Sequence, residues 1–185
     1  MGVAEIPKAV TTRTASAFSA FWPGSLRWPG GEAPCAFGRS GLVAARLKRE
    51  GDGATPAGKW AMRRVLHRAD RLPLVVTRLA LTALQPDMGW CDDPVSPFYN
   101  TPVRLPFEVS HEKLWREDGL YDLIVPLGYN DDPVVPGRGS AIFLHCAAPG
   151  LTPTEGCVTV AREALVEILK VAASGNALEI ILPPD

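Results

Sequence analysis

The stretch 141–157, AIFLHCAAPGLTPTEGC, sets the expectations for the whole chain. Its first half is an apolar run, Ala141-Ile142-Phe143-Leu144, that ends on His145, and Ser140–His145 reads as a strand. Alternation along such a strand puts Ala141, Phe143 and His145 on one face and Ile142, Leu144 and Cys146 on the other, so Cys146 points away from His145. Its second half closes on Thr154-Glu155-Gly156-Cys157. A glycine before a cysteine lets the backbone bend tightly and lets another group approach closely. A thiol becomes nucleophilic as the thiolate, and a nearby imidazole is one way to generate it. The segment between positions 145 and 157 is long enough for strand, loop and return turn, so His145 and Cys157 can meet.

Outward from this stretch, residues 161–173 carry the one good helical pattern. Ala164, Leu165, Ile168, Leu169 and Ala172 share a face, Arg162, Glu163, Glu167 and Lys170 take the other, and Gly175 closes it. A helix directly after Cys157 would help to lower the thiol pKa through its dipole. Strands are expected at Glu32–Phe37, Lys59–Leu66, Leu74–Leu84, Tyr121–Leu127 and Leu178–Leu182. Ser110 is expected to cap a short helix through Trp115. Turn residues mark 46–58 and Gly128–Gly139 as loops. Gln85–Pro106 holds Pro86, Pro94, Pro97, Pro102 and Pro106 and reads as a long binding loop, a lid or wall of the cleft. Residues 1–22 read as a loosely ordered lead-in or a first edge strand. The sum is a single mainly β domain over 1–185 with one substantial helix after Cys157.

Composition excludes several classes. Hydrophobic residues make up 46% of the 185, enough for a packed core. A formal net charge of −1 argues against nucleic acid as a partner. No apolar run is long enough for a membrane span. Cys35, Cys91, Cys146 and Cys157 form no C-x-x-C pair and match neither a disulfide scaffold nor a zinc pattern, so no metal and no cofactor are expected. Cys35, Cys91 and Cys146 read as small buried hydrophobes. Residues 14–28 are interrupted by Ser16, Ser19 and Pro23 and make a poor secretory signal. The expected compartment is the periplasm or cell envelope if the chain is exported, and the cytoplasm otherwise.

With His145, Thr154, Gly156 and Cys157 in place, the region from about Arg39 to Leu169 resembles the L,D-transpeptidase catalytic domain of the YkuD type. That family carries a histidine, a variable loop and a Ser/Thr-x-Gly-Cys signature, and Thr55-Pro56-Ala57-Gly58 resembles its T-P-x-G turn. The resemblance implies a mostly β sandwich or barrel. It implies catalytic roles for Cys157, His145, Thr154 and Gly156, with peptidoglycan stem peptides as partners. The cysteine would be acylated by a stem, a terminal D-residue would leave, and a second amine would attack the thioester. Three departures leave substrate class and acceptor open: Glu155 replaces the usual histidine, the His-to-Cys interval is short, and Thr159 stands where many members have arginine.

The remaining candidates are loop residues. Thr154 either orients the His145 ring or forms the turn. Arg39 and Asn130, in loops next to the expected site, are candidates to touch substrate, and Glu155 is either a solvated loop charge or a partner for a cationic group. Trp90, Tyr99 and Trp115 read as packing residues, His67 and His111 as surface residues, and Arg63, Arg64, Arg68 and Arg71 as a solvated face. The competing functions are a cysteine hydrolase on the same scaffold (an L,D-carboxypeptidase or cross-link endopeptidase), a non-catalytic cell-wall binding module, and a metal site.

Overall fold

The structure, a computed structural model, describes residues 17–183, so the first sixteen residues of the expected lead-in lie outside it. The chain runs through β1 (Phe18–Phe21), β2 (Ser25–Trp28), β3 (Gly31–Ala36), β4 (Leu42–Ala44), β5 (Thr55–Ala61), β6 (Val65–His67) and β7 (Leu81–Ala83). It continues through β8 (Met88–Cys91), β9 (Pro102–Arg104), β10 (His111–Lys113), β11 (Leu123–Pro126), β12 (Phe143–Cys146) and β13 (Val158–Val160). It closes with the helix α1 (Arg162–Val171) and β14 (Ala177–Ile181). Strands dominate, as a chain rich in Gly and Pro favours, and α1 is the one α-helix among the described residues.

Eleven strands form one ladder in the order β4-β5-β14-β1-β2-β3-β13-β12-β11-β6-β7. Near its middle β12 and β13 run parallel, with Leu144 opposite Val158, His145 opposite Thr159 and Cys146 opposite Val160. Every residue of β11, β12 and β13 is buried, because both faces of this part of the sheet are covered. On one face Leu144, Cys146, Val158 and Val160 pack against Leu165, Ile168 and Leu169 of α1 and against Leu178 and Ile180 of β14. On the other, Phe143 and Cys157 pack with Leu66, Leu84, Leu114, Tyr121 and Ile124. The expected alternation along 141–146 therefore holds. The apolar stripe of α1 buries Leu165, Ile168 and Leu169 completely, and its polar face carries the Lys170–Glu167 pair at 2.6 Å.

Several expectations give way to tertiary pairing. Residues 18–21 are not an edge: β1 lies inside the ladder between β14 and β2, with Phe18 and Ala20 buried. Thr55-Pro56-Ala57-Gly58 opens β5 instead of forming a turn, and the expected strand over 59–66 is split between β5 and β6. Of the strand expected at 74–84 only β7 forms; Leu74 and Val76 lie on the surface, where no partner strand offers a ladder. Ser110–Trp115 is not a helix, because β10 pairs antiparallel with β8. The long proline-rich segment contributes β8 and β9, which join β10 in a second, three-stranded sheet. Pro102 takes the first position of β9, where its missing N–H is tolerated. His67 is buried, its Nδ1 3.1 Å from Leu72 O. Arg68 is buried too, lying over the Trp115 ring at 3.6 Å and bonded to both carboxylate oxygens of Asp70, so the arginine cluster is not one solvated face.

Candidate active site

The parallel register aligns four side chains on one face of the central sheet. Phe143 and His145 come from β12, and Cys157 and Thr159 from the turn and strand beside it. His145 and Cys157 line a single cavity of about 280 Å³, together with Thr154, Glu155 and Gly156. Glu112 of β10 and Asp92, the residue that follows β8, also line the cavity.

His145 is held by backbone. Its Nδ1 lies 2.9 Å from Cys146 O and 3.2 Å from Leu120 O. Carbonyls only accept, so Nδ1 carries the proton and Nε2 keeps its lone pair. The ring meets Tyr121 edge-on, with centroids 4.9 Å apart. Burial lowers the His145 pKa to about 4, against the support its two carbonyl contacts give to the protonated form.

Cys157 is equally enclosed. Its thiol donates to Ala141 O at 3.2 Å, and the Phe143 N–H points at Sγ from 3.4 Å. Burial pushes the thiol up to about 12, with the Glu112 charge adding to the rise and the Phe143 N–H opposing it. The expected help from a helix dipole does not arise: β13 stands between Cys157 and α1, which begins only at Arg162. At rest both members of the pair are therefore neutral.

The turn before Cys157 explains its own sequence. Among the described residues Thr154 makes no hydrogen bond to His145. Its hydroxyl donates to Cys157 O at 2.8 Å and accepts the Gly156 N–H at 3.1 Å. Thr154 is thus the turn-former of the two readings, and backbone carbonyls orient the ring. Gly156 has φ +146°, and a Cβ there would stand 3.1 Å from Ala54 O and 3.3 Å from Ile142 Cδ1. Thr55 locks the turn from below, accepting the Gly38 N–H at 2.8 Å and reaching Cys157 O at 3.4 Å.

The expected loop contacts fare differently. Arg39 and Glu155 bond to each other at 2.9 Å, both exposed, with Glu155 at the cavity. Asn130 is not in the cavity wall; its amide is spent on Val135 and Gly139 of its own loop.

Asn100 was not among the site candidates, yet it holds the thiol's acceptor in place. Its Oδ1 accepts the Ala141 N–H and the Trp90 indole N–H, each at 3.0 Å. Its Nδ2 donates to Tyr129 O at 3.1 Å and Asn130 O at 2.8 Å. Ala141, at φ +50°, then offers its carbonyl to Cys157. The only local signal was an asparagine in a turn-rich segment, a residue that tolerates its φ of +56°. Asn100→Ala is expected to lower stability by about 2 kcal/mol through newly unpaired buried groups. It should reduce kcat more than it raises KM; chemical denaturation and steady-state kinetics check the two effects.

A mainly β catalytic domain with a thiol and an imidazole on one cavity face is the class these features define. Comparison with family models gives a match to the YkuD L,D-transpeptidase catalytic domain over residues 24–180, and the chain belongs to that family. That family acts on peptidoglycan. No curated protein and no solved structure matched the chain.

Proposed function

We propose that the protein is a cysteine acyltransferase acting on peptidoglycan stem peptides, with Cys157 as nucleophile and His145 as base and acid. One observation carries the reading: Cys157 and His145 share a cavity, and backbone carbonyls hold the His145 Nδ1 proton so that Nε2 is free. Sγ attacks the carbonyl that precedes the stem's terminal D-residue, and the thiol proton passes to Nε2. The C–N bond then breaks, the leaving amine takes that proton from His145, and a thioester remains on Cys157. An acceptor amine attacks the thioester, its proton goes to His145, and the proton returns to the departing sulfur. The Phe143 N–H, already aimed at Sγ, supports the negative charge that develops as the proton leaves.

The neutral resting pair means that proton transfer accompanies attack instead of preceding it. Iodoacetamide labelling of the free protein at pH 7 is accordingly expected to be at least about tenfold slower at Cys157 than at an ordinary exposed cysteine. Labelling rates followed by peptide mass mapping check this. Slow labelling therefore does not separate an enzyme from a binding module; turnover does.

Incubation of purified muropeptides with the protein tests the proposal by product mass. A cross-linked dimer lacking one terminal D-residue supports transfer. Shortened or separated stems without dimers would assign the same acyl-enzyme to hydrolysis, and no change would point to binding alone. Stems in the envelope, or a cytoplasmic precursor, are the substrates that match the two compartments open to the chain.

A further inference from the structure

Glu50 comes from the polar loop over 46–58, far in sequence from His145 and Cys157, yet it lines the cavity together with Ser140 and Ala141. One of its carboxylate oxygens, Oε2, accepts two hydroxyls, that of Tyr99 at 2.5 Å and that of Ser140 at 2.7 Å. The Tyr99 oxygen in turn accepts the Gly139 N–H at 2.9 Å. The Glu50 backbone N–H donates to Gly137 O at 3.0 Å. Glu50 thus grips the segment 137–140 at three points. Its other oxygen accepts the Gly51 N–H at 3.2 Å, so hydroxyls and backbone take up the carboxylate. Hydrogen bonds to an ionised acceptor are short and strong, which suits a clamp. Burial and the Glu50 charge together push the Tyr99 phenol above its ordinary range, so it stays a donor.

The residue after this segment is Ala141, whose carbonyl receives the Cys157 thiol at 3.2 Å. Ala141 has φ +50°, a conformation that a residue with a Cβ holds only where its surroundings impose it. Asn100 fixes Ala141 through its N–H, and Glu50 fixes the two residues before it. Sγ lies between Ala141 O and the Phe143 N–H, so a displaced Ala141 displaces the thiol relative to the His145 ring.

We infer that Glu50 is a positioning residue for the nucleophile: through Tyr99, Gly139 and Ser140 it sets the Ala141 carbonyl that orients Cys157 Sγ. The inference rests on the acyl-transfer reading and adds to it a residue from a separate loop. Glu50 takes no proton from the thiol; that proton passes to His145. What Glu50 supplies is an acceptor at a fixed reach.

Steady-state kinetics with a stem tetrapeptide donor tests this on the wild-type protein and on Glu50→Ala, Glu50→Gln and Glu50→Asp. Glu50→Ala is expected to lower kcat at least about 30-fold with KM within about threefold, because misplacing a reacting group acts on this scale. Glutamine keeps an acceptor oxygen at the same reach and should restore kcat to within about fivefold of wild type. Aspartate keeps the charge but is one methylene short, and should stay near the alanine level. Glutamine as impaired as alanine, a change in KM alone, or alanine equal to wild type would overturn the inference. Should Glu50→Ala fail to fold, Tyr99→Phe removes one hydroxyl and the support of Gly139, and it should lower kcat about tenfold. An unchanged kcat in that folded variant would equally overturn it.

The S–H stretching band of Cys157, isolated by subtracting the infrared spectrum of Cys157→Ala, gives a readout independent of turnover. It should lie at the position of a hydrogen-bonded thiol in the wild type and in Glu50→Gln, and move toward that of a free thiol in Glu50→Ala. A band that stays in Glu50→Ala would overturn the positioning role. Failure of the acyl-transfer reading would look different: the band would shift as expected while the wild-type protein turned over no stem peptide.

Discussion

Replacing Cys157 by alanine is expected to lower turnover of stem peptides by at least about 10⁴-fold, the scale on which loss of a covalent nucleophile acts. The variant should still fold, because the thiol is a small group on the inner face beside Phe143, and the turn is held by Thr154 and Thr55. Cys157→Ser should be nearly as inactive. Its hydroxyl can take the same place against Ala141 O and the Phe143 N–H. It is nevertheless a far weaker nucleophile at a site whose imidazole is already kept from accepting a proton easily. Substrate binding, measured by calorimetry, should change little in either variant. Loss of binding in parallel with activity would instead assign Cys157 a structural part in shaping the cavity.

His145→Gln carries the second large effect, and it has two readouts. Without the base and acid, kcat/KM should fall by about 10³-fold. Stability gives the other readout. The His145 pKa is lowered from 6.5 to about 4 by burial, so between those values the unfolded chain holds a proton that the folded chain does not. The contribution of His145 to stability is therefore complete above about pH 6.5 and is lost as the pH falls toward 4, by about 3 kcal/mol in total. Glutamine has no such titration, and the slope of stability against pH in this window should flatten in the variant. Urea denaturation from pH 4 to 7.5 checks it. For the same reason the acid limb of kcat/KM in the wild-type protein should lie near pH 4 to 5 instead of 6 to 7.

What could be read ahead of the structure was what local sequence encodes. The alternation from Ala141 to Cys146 settled which side chains face His145, since a buried strand flips one face per residue. The periodicity of α1 is long and regular, and the helix formed within two residues of its expected bounds at each end. Gly156 before Cys157 announced a backbone that excludes a side chain, and its φ of +146° shows why. By contrast β10 has three residues and exists through its partner; nothing within His111–Lys113 identifies a strand, and the runs expected as strands over 59–66 and 74–84 did not show where pairing would cut them to β6 and β7. Ser110 looked like a helix cap because capping is a local property, whereas pairing with β8 is not.

The site divides along the same line. His145, Thr154, Gly156 and Cys157 lie within one short stretch, and all four line one cavity. Asn100 enters through a contact with Ala141 across 41 positions, and Glu112 and Asp92 through the small sheet, so no spacing rule could have joined them to the thiol. Thr159 was noticed only as a departure from the family signature. In the structure it is a buried hydroxyl opposite His145. Arg39 and Glu155 were near the site as expected, but each satisfies the other.

The central claim is a covalent acyl-enzyme on Cys157, and intact-protein mass spectrometry after rapid acid quench tests it most directly. With a stem tetrapeptide as donor, the account predicts a mass increase equal to the tetrapeptide minus its terminal residue and one water. That adduct should map to the peptide containing Cys157 and be absent from Cys157→Ala. Turnover of the same donor with no adduct on Cys157, or an unchanged adduct in the alanine variant, would contradict it.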